Sequence, residues 1–243
     1  MARAPRNAPR TRRTPRVAAA LLAAAGALAA GCDALPGTGP AGPTAAPAPS
    51  APQNAPGAGP PASEEIEQAL SDLSEAEVGA EGSGAGYERE EFGSSWIDTD
   101  DNGCPTRHDI LARDLRAARV ADDCTVTRGV LEDPYTGERI DFSAEDPMEV
   151  QIDHLVPLAL AWRTGAGEWD RDTRVEFAND RDNLIAADGP ANQSKGDSGP
   201  GEWQPYPPFR CAYAVAYVDV VDAYGLRLPS ADRAALEEML ANC

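Results

Sequence analysis

The stretch from residue 151 to residue 196 most limits the folds that are open to this chain. An alternating run that includes Val150 and Ile152 leads into it, and a period of two is typical of a β-strand with one buried face. The run ends in Asp153 and His154, two polar residues placed side by side. The stretch therefore begins with a strand whose last two residues can carry chemistry.

A second strand and a helix follow in the same stretch. Asn183 begins another short apolar run, and Asn192 lies nine residues later in the segment 189–195. Asp188 is a suitable N-cap for this segment and Pro190 suits a first helical turn, so we predict that a helix starts here. Strand, strand and helix thus present Asp-His, Asn and Asn-x-x-Lys in turn.

Two residue types that are rare in this chain fall in the same stretch. The chain has only two histidines, of which His154 is one, and Lys195 is the only lysine among 21 basic residues. Because every other positive side chain is an arginine, Lys195 suggests a point charge that is directed at one particular group.

This ordered set resembles the HNH (ββα-metal) nuclease superfamily, and more closely a secreted HNH-like group related to the DUF1524 and GmrSD C-terminal families. The matching residues are Asp153, His154, Asn183, Leu184, Asn192, Lys195, Gly196 and Asp197. Residues 86–243 look similar to such a protein, and the N-G-C-x-T-R and D-P-Y-T-G sequences upstream are part of the likeness. The resemblance implies an α+β fold with a ββα-metal (His-Me finger) core, an upstream β-hairpin and flanking helices.

The resemblance also implies roles for the matched residues. Asp153 and Asn192 would hold one divalent ion, Mg²⁺ first and Mn²⁺ as the alternative, because hard ions prefer oxygen ligands. His154 would be the general base, since an ordinary imidazole pKa of about 6.5 leaves a neutral ring near pH 7. Asn183 would fix the loop that bears the histidine, and Lys195 would contact phosphate from the helix face of Asn192.

Two features of the superfamily are missing from this chain. Many members have a histidine where Asn192 stands, and many carry paired CxxC zinc motifs, neither of which occurs here. We therefore expect no structural zinc. Neighbouring strand residues point to opposite faces, so a site shared by Asp153 and His154 requires the strand to end or bend at this pair. Taken alone, an Asp-His pair is more often an exposed polar turn; the ordered set favours a catalytic site.

The N-terminal third of the chain is typical of export and tethering. Residues 1–16 hold six arginines and no acid, and residues 17–30 are uncharged and apolar, which predicts a signal peptide over 1–32. Its Leu-Ala-Ala-Gly-Cys ending resembles a lipobox and predicts lipidation at Cys32, with cleavage to a soluble secreted form as the alternative. Residues 33–62 are rich in Pro, Ala and Gly and predict an extended tether.

The next segment, 63–86, is acidic, and we predict a spacer with a marginal helix over 63–78. A solvated spacer is favoured there over a helix that binds a partner. The folded nuclease-like domain is then predicted to span residues 87–243.

Within that domain the pattern predicts a helix over 107–119, a hairpin over 125–142 and helices over 158–164, 168–177, 209–224 and 230–242. Arg107 and Arg113 flank the N-G-C-x-T-R sequence and are the first candidates for phosphate contacts outside the core motif. The alternative is a solvated helix face on which these arginines pair with neighbouring acids. We interpret His108 as structural.

Five cysteines are present, and four remain after Cys32. An even number in an exported domain implies disulfides. Of the three ways to pair them, we favour Cys104 with Cys124 and Cys211 with Cys243.

Charge limits how such a chain can bind nucleic acid. All 40 acidic residues but only 15 of the 21 basic residues follow Cys32, so the exported chain carries a net charge of −25. Proteins that grip duplex DNA through its phosphates are normally basic. Substrate binding is therefore expected to be local, metal-assisted and sensitive to salt.

The sequence thus predicts an exported, metal-dependent endonuclease of low sequence specificity that acts on DNA rather than RNA. We expect a lipid on Cys32 to bind it to a membrane, and we expect it to need no protein partner. Two alternatives stay open. One is an inert copy of the fold that serves as a surface binding module; the other is a phosphodiesterase for small or lipid-linked phosphates.

Overall fold

The computed structural model describes residues 59–243. The helices are α1 Ser63–Glu75, α2 Thr106–Asp114, α3 Leu158–Thr164, α4 Arg171–Asn179, α5 Gly189–Lys195, α6 Arg210–Tyr224 and α7 Ser230–Ala241. The strands are β1 Arg116–Val120, β2 Val126–Glu132, β3 Arg139–Ser143, β4 Val150–His154 and β5 Leu184–Asp188. The α+β class and the predicted hairpin over 125–142 are confirmed. The predicted signal peptide, the lipidation at Cys32 and most of the tether lie outside the described residues.

Strands β1, β2 and β3 form one antiparallel sheet in that order. The β2–β3 turn contains the D-P-Y-T-G sequence, where Asp133 accepts hydrogen bonds from the amide (2.8 Å) and hydroxyl (2.6 Å) of Thr136. Gly137 has φ +78°, and a Cβ there would lie 2.8 Å from the Tyr206 ring, so this turn needs glycine at that position. The amide of Asp188, at the end of β5, also donates to Asp133 at 2.9 Å, so the turn lies beside the second sheet.

The second sheet is the antiparallel pair β4–β5, in which Asp153 lies opposite Ile185 and His154 opposite Leu184. Residues 155–183, with helices α3 and α4, connect the two strands. Helix α5 follows β5 directly and packs on both strands. Asp188 caps α5 by accepting a hydrogen bond from the amide of Ala191 at 2.7 Å, as the sequence predicted.

The β4–β5 pair separates two hydrophobic clusters. We call the first face the His154 face; it carries Val150, Ile152 and His154. Its two apolar residues belong to the cluster that lies beneath α2 and the first sheet. On the second face, which we call the Asp153 face, Gln151 and Asp153 lie on the side of the larger cluster formed by the helices. Each polar residue of the pair therefore enters a different environment.

Helix α1 corrects the prediction of a solvated acidic spacer. It packs against α6 and α7, and Ala69 and Leu73 on its inner side are buried. Ala69 and Leu73 are four residues apart and so lie on one face of the helix. The folded part of the chain therefore begins at Ser63, well before Tyr87.

The helix predicted over 107–119 is also corrected. It ends at Asp114, and the chain turns extended at Leu115 to form β1. Leu115 is buried over Gly129 of β2, where even a Cβ would come within 2.8 Å of it. Packing of this one leucine on the sheet ends the helix, and the arginines do not share an exposed helical edge.

The disulfides Cys104–Cys124 and Cys211–Cys243 are both present, with Cα–Cα separations of 5.5 Å and 5.6 Å, and the predicted pairing is confirmed. Within residues 59–243, none of the helices combines the length and apolar character that a membrane crossing requires. Helix α7 begins at Ser230, and Pro229 occupies its N-cap position.

Candidate active site

His154 ends β4 and reaches the end of helix α4. Its Nε2 lies 2.8 Å from the carbonyl oxygen of Ala178, one of the last four carbonyls of α4, which have no partner inside the helix. A carbonyl can only accept, so Nε2 carries the ring proton when the ring is neutral. Nδ1 is then an acceptor, which is the state a general base needs.

The ring is held in that neutral state. Burial lowers the pKa of His154 to about 4, and the hydrogen bond to Ala178 and the nearby Asp153 oppose this only in part. His154 is 6% exposed. At neutral pH the side chain is therefore an uncharged base.

A cavity borders the imidazole ring. Its lining residues are Arg89, Phe92, Gly93, Ser94, Ser95, Trp96, His154, Leu158, Ala178 and Asn179. The indole of Trp96 stacks on the imidazole, with ring centroids 6.2 Å apart and planes inclined by 13°. His154 thus lines the cavity and has one ring face covered by an aromatic side chain.

Asn183 holds the loop that follows His154. Its Oδ1 accepts a hydrogen bond from the amide of Val156 at 2.9 Å, and its own backbone oxygen accepts one from the amide of Leu155 at 2.8 Å. The residue is fully buried. Asn183 is therefore bonded to the backbone just beyond the histidine.

Asp153 is on the other face and is already paired. Its Oδ2 accepts a hydrogen bond from the Tyr135 hydroxyl at 2.6 Å and lies 2.8 Å from the Lys195 ammonium nitrogen. Asp153 is 7% and Lys195 1% exposed. Lys195 also donates to the backbone oxygen of His154 at 2.8 Å, so it braces the end of β4.

The predicted phosphate contacts therefore need correction. Lys195 is enclosed and bonded to protein groups, and a buried ammonium beside a carboxylate is not available to a phosphate. Arg113 is buried, with hydrogen bonds to Asp114 and to the carbonyl oxygens of Arg181 and Leu184. Arg107 donates to backbone carbonyls that include that of Val150 at 3.2 Å. In this structure all three side chains brace strands β4 and β5.

The predicted metal ligands supply two oxygen atoms that are not engaged. The amide nitrogen of Asn192 donates to Gln151 Oε1 at 3.0 Å, while Asn192 Oδ1 and Asp153 Oδ1 accept no hydrogen bond from residues 59–243. One carboxylate oxygen and one amide oxygen fit a hard divalent ion whose other ligands are water and phosphate. Within residues 59–243 no three His, Cys, Asp or Glu side chains lie close enough together to hold a metal ion. The ammonium group of Lys195 also offsets the negative charge of the Asp153 carboxylate.

Two comparisons with known proteins bear on these residues. A family model described as "GmrSD restriction endonucleases, C-terminal domain" matches residues 106–213, which include β4, β5 and α5. A protein of Arthroderma benhamiae named "Uncharacterized secreted protein" is 38% identical over 174 residues, which cover 70% of this chain and 82% of that relative. The chain belongs to the GmrSD C-terminal domain family. No solved structure matches it.

In this GmrSD-family chain the predicted site residues fall into two groups. His154 and Asn183 are joined through the loop at 155–156, and Asp153, Asn192 and Lys195 gather between β4 and α5. Of the two expected possibilities, β4 ends at His154 and does not bend before it, because both residues of the Asp-His pair stay in register with β5. Their side chains therefore leave β4 on opposite faces.

Sequence reasoning missed three residues of the site in this GmrSD-family chain. Tyr135 belongs to the D-P-Y-T-G sequence, and that likeness was a signal that could have drawn attention to its hydroxyl. Arg89 and Trp96 precede the family-matched region of 106–213 and stand in no motif. Their place beside His154 follows only from tertiary packing.

Proposed function

We propose that this chain is an exported, metal-dependent endonuclease of HNH type that hydrolyses phosphodiester bonds in nucleic acid. The observation that carries the proposal is the state of His154, which lines a cavity as a neutral imidazole whose Nε2 bonds to the Ala178 carbonyl and whose Nδ1 is left as an acceptor. Membership in a family named for restriction endonucleases supports the reaction class.

The protein's own side chains would act as follows. His154 Nδ1 takes a proton from the attacking water, and Asn183 keeps the loop behind the histidine from moving during that transfer. Lys195 and Tyr135 hold the Asp153 carboxylate in one orientation. Asp153 and Asn192 would bind the divalent ion, Mg²⁺ ahead of Mn²⁺, and the pair β4–β5 with α5 would be the ββα-metal unit. The ion would supply charge neutralisation at the phosphate and at the leaving oxygen, which requires the substrate to lie across the end of β4 at His154, because the two groups leave the strand on opposite faces.

The substrate is proposed to be nucleic acid, DNA ahead of RNA, without sequence specificity. A net charge of −25 beyond Cys32 opposes wide contact with a polyanion, so binding would depend on a few local groups and weaken steeply with salt.

The proposed setting is outside the cell. The relative from Arthroderma benhamiae is named a secreted protein, and residues 1–32 of this chain have the pattern of a signal peptide. We propose that Cys32 carries a lipid and that residues 33–62 tether the domain to the membrane, with release in soluble form as the alternative. Helix α1 belongs to the folded domain, so we place the start of that domain at Ser63 and not at residue 87, after the predicted 63–86 spacer.

The test is nicking of supercoiled plasmid by the full chain with its disulfides formed. The reaction is run with Mg²⁺, with Mn²⁺ and with EDTA, for the wild type, His154→Gln and the matched control His108→Gln. His108 is the only other histidine, and its Nδ1 accepts the amide of Val126, so its role is structural.

We expect nicking that needs the metal and survives in the control but not in His154→Gln. A wild-type protein that stays folded and cuts neither plasmid nor RNA with any ion would overturn the proposal. Turnover of a small phosphodiester in place of nucleic acid would instead support the phosphodiesterase alternative.

A further inference from the structure

The groups that were expected to bind the substrate phosphate are used by the protein itself, which leaves the His154 cavity without an assigned cation. Arg89 lines that cavity, is exposed to solvent and forms no ion pair with residues 59–243. By contrast, Lys195 pairs with Asp153 and Arg113 pairs with Asp114. Arg89 is the basic residue that borders the imidazole and remains available to an anion.

The cavity is also lined by polar groups that can form hydrogen bonds with a ligand. Asn179 is 2% exposed, donates from Nδ2 to the carbonyl of Val175 at 2.9 Å, and has an Oδ1 without a hydrogen-bond partner among the described residues. A buried acceptor left unpaired is costly, and a water molecule is the smallest donor that can satisfy it. The exposed hydroxyl groups of Ser94 and Ser95 complete the polar part of the wall.

The segment that carries Arg89 is fixed to helix α4. Arg174 donates to the backbone oxygen of Glu91 and pairs with its carboxylate, both at 3.0 Å. Gly93 has φ +86°, and a Cβ there would approach Val175 to 2.7 Å, so only glycine lets the chain pass this close to α4. Arg89 is therefore held on a supported wall of the cavity.

The same segment places Trp96 against the imidazole in a costly backbone conformation. Trp96 has φ +59°, the left-handed region that bulky residues avoid. Such conformations are energetically unfavourable and persist where the surrounding structure enforces them, often at functional sites. The residue lies parallel to the ring of His154 and closes one side of the cavity.

We infer that Arg89 binds the phosphate group of the substrate at the His154 cavity, and that the segment of residues 89–96, which precedes the family-matched region, completes the active site. A guanidinium offers a phosphate two parallel charge-assisted hydrogen bonds. The attacking water is held between the acceptors Asn179 Oδ1 and His154 Nδ1, and it gives its proton to His154. This inference rests on the proposed function for the reaction, but binding of an anion by Arg89 can be tested without turnover.

The experiment compares the full-length wild type with Arg89→Gln, Arg89→Lys and the control Arg119→Gln. Arg119 is also exposed and unpaired within residues 59–243, and it lies on β1 outside the cavity, so the control removes the same charge elsewhere. Inorganic phosphate is titrated at pH 7 without metal while the ring resonances of His154 and His108 are followed by NMR. Hydrolysis of a small phosphodiester and of plasmid is then measured with Mg²⁺.

We expect phosphate to shift the His154 resonances in the wild type and in Arg119→Gln and to leave His108 unchanged. Arg89→Gln should weaken that response, and kcat/KM, about tenfold or more, because a charge-assisted contact is lost. Arg89→Lys should recover part of both. A purely structural role for Arg89 would instead lower the melting temperature without changing the phosphate titration.

The outcomes separate this inference from the proposed function. A phosphate response that depends on Arg89 in a protein that hydrolyses nothing would uphold the anion site and reject the endonuclease. Hydrolysis that is equal in wild type and Arg89→Gln, with equal phosphate titrations, would overturn the role of Arg89 while the endonuclease stands. A His154 signal that phosphate does not move in the wild type would also overturn it.

Discussion

The two faces of the β4–β5 pair hold neighbouring polar residues in opposite ways. On the His154 face a titratable ring is enclosed without a charged partner in hydrogen-bond contact, so burial keeps it neutral. On the Asp153 face a carboxylate is enclosed together with a buried ammonium and a phenol hydroxyl, and both contact its Oδ2. Two consecutive strand residues thus differ in how they are buried: His154 is a neutral imidazole, and Asp153 is a carboxylate paired with an ammonium.

The difference explains how two ionisable residues can lie next to each other in a core. Burial of a lone ion is expensive, whereas a buried pair with further hydrogen bonds is tolerated. Substitutions on the His154 face should therefore change chemistry first, and those on the Asp153 face should change stability first. Four predictions test this division, beginning with the largest effect.

Substitution of His154 by Gln should lower the nicking rate about 10²–10⁴-fold, the range that general bases contribute. Glutamine can still donate to the Ala178 carbonyl, so the fold should be retained. Rates are measured with Mg²⁺ beside His108→Gln, and melting curves check the fold. A variant that keeps more than about a tenth of the rate would contradict the base assignment.

Substitution of Lys195 by Met should cost about 3–5 kcal/mol of unfolding free energy, because Asp153 is left as an uncompensated buried charge. Adding Asp153→Asn should recover much of this loss, since the amide can still accept from Tyr135. Urea denaturation measures both.

An exposed pair supplies the matched control for that substitution. Arg139 and Asp141 form an ion pair with side chains 61% and 76% exposed. Arg139→Gln should therefore cost less than about 1 kcal/mol. Equal losses for the buried and the exposed pair would show that the Asp153 face does not depend on charge compensation.

Acidification should destabilise the protein through His154. Its pKa is about 4 in the folded chain and near 6.5 when unfolded, so between these values the unfolded state binds the extra proton. The unfolding free energy should fall by about 3 kcal/mol as the pH drops through this window. The His154→Gln variant should lack this part of the slope; identical pH profiles of unfolding for wild type and variant would be the contrary result.

Substitution of Tyr135 by Phe should have the smallest effect, about 1.5 kcal/mol, because one hydrogen bond to the Asp153 carboxylate is lost while Lys195 stays. Tyr206 is 42% exposed, and Tyr206→Phe serves as the control with no measurable change expected. If Tyr135→Phe moved the His154 ring resonances instead of the stability, the two faces would be coupled.

Local sequence patterns predicted much of the fold. The alternation at Val150 and Ile152, the cap at Asp188 and the cysteine spacing correctly indicated β4, α5 and the disulfides. The errors came where one distant contact outweighs local preference. Leu115 ends α2 early because it packs on β2, and Leu73 converts an acidic segment into a core helix.

The sequence motif drew attention to Asp153, His154 and Asn183, but it did not predict how the structure arranges them. A strand pattern shows that Asp153 and His154 lie on opposite faces, but it does not show which residues contact each side chain. The buried bonds of Lys195 and Arg113 depend on contacts with residues 41 and about 70 positions away. Arg89 and Trp96 join the site only because α4 holds their segment there.

The parallel stack of Trp96 on His154 gives the molecule an internal optical reporter. An imidazolium quenches indole emission more strongly than a neutral imidazole does, and protonation would turn the stack into a cation–π pair. Emission from Trp96, isolated by replacing the other three tryptophans with phenylalanine, should therefore follow the protonation of the base as the pH is lowered. The same signal would report when a bound anion changes the charge of that ring.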